Sequence, residues 1–161
     1  MGNNTLVFED RSLTVSVPGG FLVRDRKNGK DAPSAGEQQP DWSIQDGERH
    51  ILFSVSRKHL NPLAAMMACS KDGIKGFEKR VHLSLQSRRY QFGEYITESL
   101  DGKKAYGFRF GCLGEDGEIS CRTAVARDGG DLYYFSSSIN TGADEEASSA
   151  LEEIWKSIRW A

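Results

Sequence analysis

The sequence predicts an α+β fold, an antiparallel sheet covered by helices on both faces. Three observations predict it. Runs that alternate apolar and polar residues with period two fill the first third and the stretch after Phe92. Turn signals at Asp101-Gly102, Asp116-Gly117 and Asp128-Gly129-Gly130 divide that later stretch into hairpins. Two segments carry apolar residues at spacings of three and four, one central and one C-terminal, and read as helices. A chain of 161 residues fits a single domain over 1–161. That length buries a core without staples, since about 150 residues hide roughly 70% of the unfolded surface.

Taken in order, Thr5-Leu6-Val7-Phe8-Glu9 and Leu13-Thr14-Val15-Ser16-Val17 read as strands, and Pro18-Gly19-Gly20 stops the second. Phe21-Leu22-Val23 is a short third strand. Arg24–Asp41 is rich in Lys, Asp, Gly, Pro, Ser and Gln and reads as a mobile loop. Ile51–Ser56 is a further strand. Asn61-Pro62 then caps a helix, with proline at its first position. Leu63, Met67, Ile74, Phe77, Val81 and Leu85 form one helical stripe, and Gly73 and Gly76 point to a break near Ser70. The pair Met66-Met67 reads as core filling rather than as metal or heme ligands.

The meander that follows comprises strands near Phe92–Leu100, Lys103–Leu113, Glu118–Arg127 and Leu132–Ile139. Tyr106, Phe108, Phe110 and Cys112 share a face with Ile119, Cys121, Thr123 and Val125. The opposite face carries Ala105, Gly107, Arg109, Gly111, Ser120, Arg122, Ala124 and Ala126. Its small residues predict close packing of a helix, with Arg109 and Arg122 near an edge or groove. The last helix is capped by Thr141, starts with Asp144, Glu145 and Glu146, ends near Lys156 and Arg159, and buries Ala147, Leu151, Ile154, Trp155 and Ile158.

These features together resemble the Mog1/PsbP-like superfamily. The resemblance rests on the strand ending Val17-Pro18-Gly19-Gly20-Phe21 and on Phe53-Ser54-Val55-Ser56-Arg57 before the helix. It continues through the turn Leu100-Asp101-Gly102-Lys103-Lys104-Ala105-Tyr106 and the strand Asp131-Leu132-Tyr133-Tyr134-Phe135, and closes on the helix with Ile154-Trp155-Lys156-Ser157-Ile158-Arg159-Trp160. It spans most of the chain and lies in element order rather than in a catalytic signature. It implies a six- to seven-stranded antiparallel sheet flanked by helices, and a non-catalytic binding role. Members include a partner of the Ran GTPase, photosystem extrinsic subunits and bacterial proteins, among them chaperones for type VI secretion effectors. The long polar insertion at Arg24–Asp41 departs from the compact bacterial pattern.

Composition removes several functions. Twenty-one Lys+Arg against 23 Asp+Glu give a net charge of −2, which disfavours nucleic acid as a partner, because phosphate neutralisation needs clustered positive excess. No apolar run approaches the ~20 residues of a membrane span. The N-terminal residues lack the basic and apolar regions of a signal peptide. The chain is therefore expected in the cytoplasm, a mature exported fragment being the alternative.

No cofactor motif is visible: the sequence has no GxSxG, no GxGxxG after a strand and no Walker GxxxxGK[ST]. His50, His59 and His82 have no metal-binding spacing, and no metal is expected. Cys69, Cys112 and Cys121 include no CxxC pair. An Asp116-Gly117 two-residue turn would set Cys112 opposite Cys121 on a non-hydrogen-bonded rung, where a disulfide is geometrically allowed. The alternative is two small buried thiols. Glu94 and Glu98 share a strand face as an acidic patch or a solvated edge. Lys71, Lys75, Lys79, Arg80, Arg88 and Arg89 crowd the first helix beside Tyr90, as a phosphate or acidic-partner site or as a solvated helix face.

The reading that follows is a non-catalytic protein-binding domain, an adaptor or accessory protein. Its expected surface is the small-residue face near Arg109 and Arg122, flanked by Arg24–Asp41. One alternative is a secretion effector-associated chaperone, which predicts an exposed apolar groove and a homodimer. The other is an enzyme, which predicts a cleft where Cys69, His50, His59 or His82 meets an acidic residue.

Overall fold

A computed structural model describes residues 4–7, 12–25 and 41–161. Ten strands and three α-helices follow in the order β1 (Asn4–Val7), β2 (Leu13–Val17), β3 (Leu22–Asp25), β4 (Trp42–Asp46), β5 (Ile51–His59), α1 (Pro62–Ala68), α2 (Lys71–Leu85), β6 (Gln91–Leu100), β7 (Lys103–Gly114), β8 (Gly117–Asp128), β9 (Asp131–Asn140), α3 (Glu145–Lys156) and β10 (Arg159–Trp160). A 3₁₀ turn at Gln86–Arg88 ends the central helical stretch.

Seven strands form one antiparallel sheet in the order β3-β4-β5-β9-β8-β7-β6, and β1-β2-β10 form a smaller one. The chain leaves the large sheet after β5, runs through α1 and α2, and re-enters at the far edge as β6. It then meanders inward until β9 pairs with β5 along Leu52↔Ser138 to His59↔Asp131. The α+β class, the antiparallel sheet and the helices on both faces are as the sequence predicts.

Alternation sorts each strand onto two cores. On one face Phe53, Val55, Ala105, Ala124, Ala126, Tyr133 and Phe135 pack beneath α3 and the small sheet, meeting Leu13, Val15, Leu151, Ile154, Trp155 and Ile158. Trp155 stands edge-on to Phe53 at 5.2 Å, and its indole N–H donates to Ser137 Oγ at 3.0 Å. On the other face Phe108, Val125 and Leu132 pack against Ala65, Ile74, Phe77 and Val81 of α1 and α2.

The break between α1 and α2 falls at Ser70, as the glycines predict. Ser70 Oγ donates to Met67 O and accepts from Gly73 N, so one hydroxyl ends the first helix and caps the second. Gly73 does more than weaken the helix. A Cβ there would lie 2.2 Å from Ala68 O, so the close approach of the two helices requires glycine.

Several expectations are corrected. Met66 and Met67 are 50% and 66% exposed and fill no core, because the kink at Ser70 turns α1 so that Ala65 is its buried residue. The cap of α3 is Asp144, whose carboxylate accepts from Ala147 N at 2.8 Å, and not Thr141. Strands β4 and β10 were not expected. Arg24 and Asp25 belong to β3 rather than to a loop, and Asp41 accepts from Arg57 N at 2.6 Å. Residues 26–40, the rest of the expected loop, lie outside the described residues, as do residues 8 and 9 of the first expected strand.

The turns at Asp101-Gly102 and Gly129-Gly130 form as expected, between Leu100↔Lys103 and Asp128↔Asp131. The middle hairpin differs. Its connection is Glu115-Asp116, closed by Gly114↔Gly117, with Gly117 at φ 119°. The register therefore moves by one pair, Cys112 faces Ile119, and Cys121 faces Phe110. The two cysteines are diagonal neighbours on one face instead of a directly opposed pair, and both thiols are free.

Candidate functional site

The expected arginine surface is built, and it is occupied from within. Ala105, Ala124 and Ala126 are fully buried under the α3 layer, so the small-residue face is interior, which corrects its expected role as an open surface. Arg109 and Arg122 are cross-strand partners. Arg122 is only 13% exposed at its side chain, ion-paired with Glu98 on β6 and with Glu152 on α3 at 3.4 Å. Its guanidinium lies 4.0 Å from the centre of the Trp155 ring. Arg109 is half exposed and stands 3.6 Å from Glu94. The acidic pair and the arginine pair thus meet as one charge ladder across β6, β7 and β8. Alternation in the sequence put each pair on one face; the strand register brings the two pairs together, and the role of Arg122 depends on what α3 lays over it.

The basic residues beside Tyr90 divide differently. Lys71, Lys75 and Lys79 form an exposed row along α2. Tyr90 turns away from them: its hydroxyl donates to Glu78 at 2.6 Å, and its ring stacks between His82 and Phe110. Burial and the Glu78 carboxylate push the Tyr90 phenol up, so it stays protonated.

Two concavities among the described residues bear on function. The first is an apolar groove of about 220 Å³ on the α1–α2 face, beyond the end of α2. Leu52, Leu85, Phe110 and Ile119 line it with Cys112 and Cys121, while Ser54, Ser136 and Ser138 supply hydroxyls. It exists because α1 and α2 cover only part of the sheet. Burial, with Cys112 adjacent, pushes the Cys121 thiol up, and burial pushes Cys69 up against the pull of Arg127. A thiol pushed up by burial is a poor nucleophile, which holds for Cys121 in the groove and for Cys69 outside it. Sequence reasoning put Phe110, Ile119 and both cysteines on one face. The missing signal was where the helical stretch ends, α2 at Leu85 and its 3₁₀ turn at Arg89 with φ 55°.

The second is an open cleft of about 700 Å³ at the start of α3. His50, Asp116, Glu118, Thr141 and Asp144 are among its lining residues. His50 Nδ1 stands 3.3 Å from Asp116 Oδ2 across two hairpin turns, both side chains well exposed. His59 pairs with Asp131 at 2.6 Å on the open surface. Among the described residues no three His, Cys, Asp or Glu side chains converge as metal ligands, and no helix is long and apolar enough to cross a membrane.

No family model matches the sequence, and no curated protein matches it. Solved structures do. The chain superposes on cyanobacterial PsbP (CyanoP) of Synechocystis sp. PCC 6803 with a TM-score of 0.72, at 16% identity, over 99% of this chain and 93% of that one. The Ran-binding protein Mog1p of Saccharomyces cerevisiae gives 0.55, at 13% identity, over 99% and 96%. LpqN of Mycobacterium tuberculosis, a protein involved in cell envelope biogenesis, gives 0.54, at 11% identity, over 97% and 88%. On superposition and coverage, the chain has the Mog1/PsbP-like fold.

Proposed function

We propose that this chain is a non-catalytic protein-binding domain, an adaptor or accessory protein, and that the apolar groove on its α1–α2 side takes part of its partner. The observation that carries the reading is the concentration of uncovered apolar side chains there. Leu52, Leu63, Met66, Met67, Leu83, Phe92 and Tyr95 are each at least 40% exposed and all belong to α1, α2 or the sheet face beside them. Exposed apolar side chains gathered on one side of the sheet fit protein recognition better than small-molecule chemistry. Mog1p, of the same fold, is a Ran-binding protein. Burial pushes the Cys121 and Cys69 thiols up, which supports the non-catalytic part of the reading.

The test is a pull-down from native lysate, soluble and detergent-extracted, with the intact chain and with Leu52→Asp at the groove rim. One partner retained by the intact chain and lost by Leu52→Asp supports the reading; equal capture by both, or a blank in both fractions, counts against it. A captured partner whose bound segment is apolar favours the secretion effector-associated chaperone. Arg109, the exposed member of the expected arginine pair, serves as the control surface in Arg109→Glu.

One observation favours the enzyme reading: His50 and Asp116 meet within a cleft, leaving Nε2 of the imidazole available as a base. An esterase and phosphatase substrate panel lost in His50→Gln would establish it, and a panel without turnover removes it.

A further inference from the structure

The large sheet has two edges, and they are not alike. β3 is four residues long. β6 runs ten residues, Gln91–Leu100, with no neighbour on its outer side among the described residues. Soluble proteins blunt such edges with proline, lysine, short length or a covering element. β6 has neither proline nor lysine, and its one irregularity is the bulge between Phe92 and Glu94. From Glu94 to Leu100 the ladder to β7 is regular, so the outward N–H and C=O groups of that stretch are evenly presented. The side chains flanking it are sorted by charge. Glu94 and Glu98 lie on the α3 side with Ile96 between them, and Tyr95 and Thr97 lie on the α2 side. Glu94 is 67% exposed and stands 3.6 Å from Arg109.

A second copy of this chain fits poorly. A two-fold axis through β6 keeps each face continuous, so only even registers pair like faces. Centred on Ile96, that pairing sets Glu94 against Glu98 twice, and like charges directly opposite are destabilising. Centred on Tyr95 or Thr97, it sets a glutamate against Ile96. In no register does the β6 of the second copy offer the exposed Glu94 a cation.

We propose that β6 accepts an extended segment of a partner protein as an eighth strand of the sheet, and that this segment carries basic residues four apart with a β-branched residue midway. One basic residue faces the exposed Glu94 and the other lies over Glu98, which is 20% exposed and already ion-paired with Arg122, so Glu94 carries the charge selectivity; the β-branched residue faces Ile96, and an aromatic residue faces Tyr95. Backbone hydrogen bonds supply the affinity and the alternating side chains the selectivity. The proposal rests on the reading of the chain as a protein-binding domain; it shares Tyr95 with the exposed apolar set, but no β6 residue lines the groove.

The test needs only the purified chain and a labelled synthetic peptide, Ser-Lys-Thr-Val-Tyr-Lys-Ser, so its outcome is independent of any pull-down. Saturable binding, with slowed amide exchange confined to β6, is expected. N-methylation at Val and at Thr, in separate peptides, removes donors from opposite edges of the added strand. One of the two peptides is expected to bind about tenfold or more weakly and the other unchanged. Glu94→Lys, at an exposed position, is expected to weaken binding roughly fivefold. Absence of binding overturns the proposal, as does equal binding by both N-methylated peptides or an unchanged affinity in Glu94→Lys. Concentration-dependent dimers with β6 amides protected in the absence of peptide also overturn it, in favour of a second copy.

Discussion

The two faces of the large sheet are made from alternate residues of the same strands, yet only one is closed. On the α3 face, a helix and the small sheet seal a floor of alanines, and even the charged Arg122 is sandwiched between Trp155 and two glutamates. On the α1–α2 face the helical layer stops at Leu85, leaving Leu52, Phe110 and Ile119 around a groove. The strand chemistry is similar on both sides. What differs is how much sheet the covering layer spans, so coverage rather than strand composition decides which face is core and which is surface.

Substitutions that break this comparison should differ in size. Phe53→Ala removes a fully buried ring from the α3 core and should cost about 3–5 kcal/mol by urea denaturation. Met67→Ala, on the open side, should stay within about 0.5 kcal/mol. Equal effects would mean that the groove face is more closed than the exposures indicate.

The charge ladder gives the next largest effect. Arg122→Met leaves Glu98 largely buried and unpaired, and should cost roughly 2–3 kcal/mol. Glu98 Oε2 and Arg122 Nε are buried and find no hydrogen-bond partner, so the pair is imperfectly satisfied. The double variant Arg122→Met with Glu98→Met should therefore recover most of that loss. Arg109→Met, on the same face at its solvent margin, should change stability by less than about 0.5 kcal/mol.

The two helix glycines sharpen the contrast within the α1–α2 layer. Gly73→Ala drives a methyl into the Ala68 carbonyl and should cost roughly 1–3 kcal/mol. Gly76→Ala meets nothing within 4 Å and should stabilise by up to about 1 kcal/mol. A destabilised Gly76→Ala would show that α2 strains against the sheet.

The smallest effect is a pH dependence. Burial pushes the Asp46 carboxyl up, but the Arg49 side chain and backbone N–H, the Arg49 charge and the Glu48 N–H outweigh it and hold it below its ordinary value of 3.8. A carboxylate lowered in the folded state stabilises above its unfolded pKa, and that contribution is lost as pH falls through the folded value. Thermal melts from pH 5 to 2 should therefore fall less steeply in Asp46→Asn than in the intact chain. Parallel slopes would assign the acid loss elsewhere.

Much of this was legible in the sequence. Period-two alternation and the Asp-Gly turns located β6 to β9 within a residue or two, and Asn61, Pro62 and the helix glycines marked α1, α2 and their junction. What was illegible has physical causes. Trp42-Ser43-Ile44-Gln45-Asp46 alternates like any strand but follows a long polar stretch that hides its start. β10 is two residues long and exists through its partner β2. The Cys112–Cys121 register turned on whether Gly117 lies within the turn or closes it. Pattern also located Arg122 without showing that α3 would cover it, and it could not show that α1 and α2 would leave the groove open.

The small sheet has a consequence for synthesis. Arg159 and Trp160 pair with Thr14 and Leu13, joining opposite ends of the sequence. Trp160 also donates its indole N–H to Leu100 O at 2.6 Å. Strands β5 to β9 with α1 and α2 can assemble as soon as residue 140 clears the ribosome. The α3 face cannot be sealed until the next twenty residues follow, roughly 1–4 s later at ~5–20 residues per second. During that interval Leu13, Val15, Phe53 and Phe135, all fully buried in the finished fold, lack the cover of α3. A pause in translation over the last helix exposes the sticky side of a nearly complete sheet, so the codons for α3 set how long a nascent chain is vulnerable to aggregation.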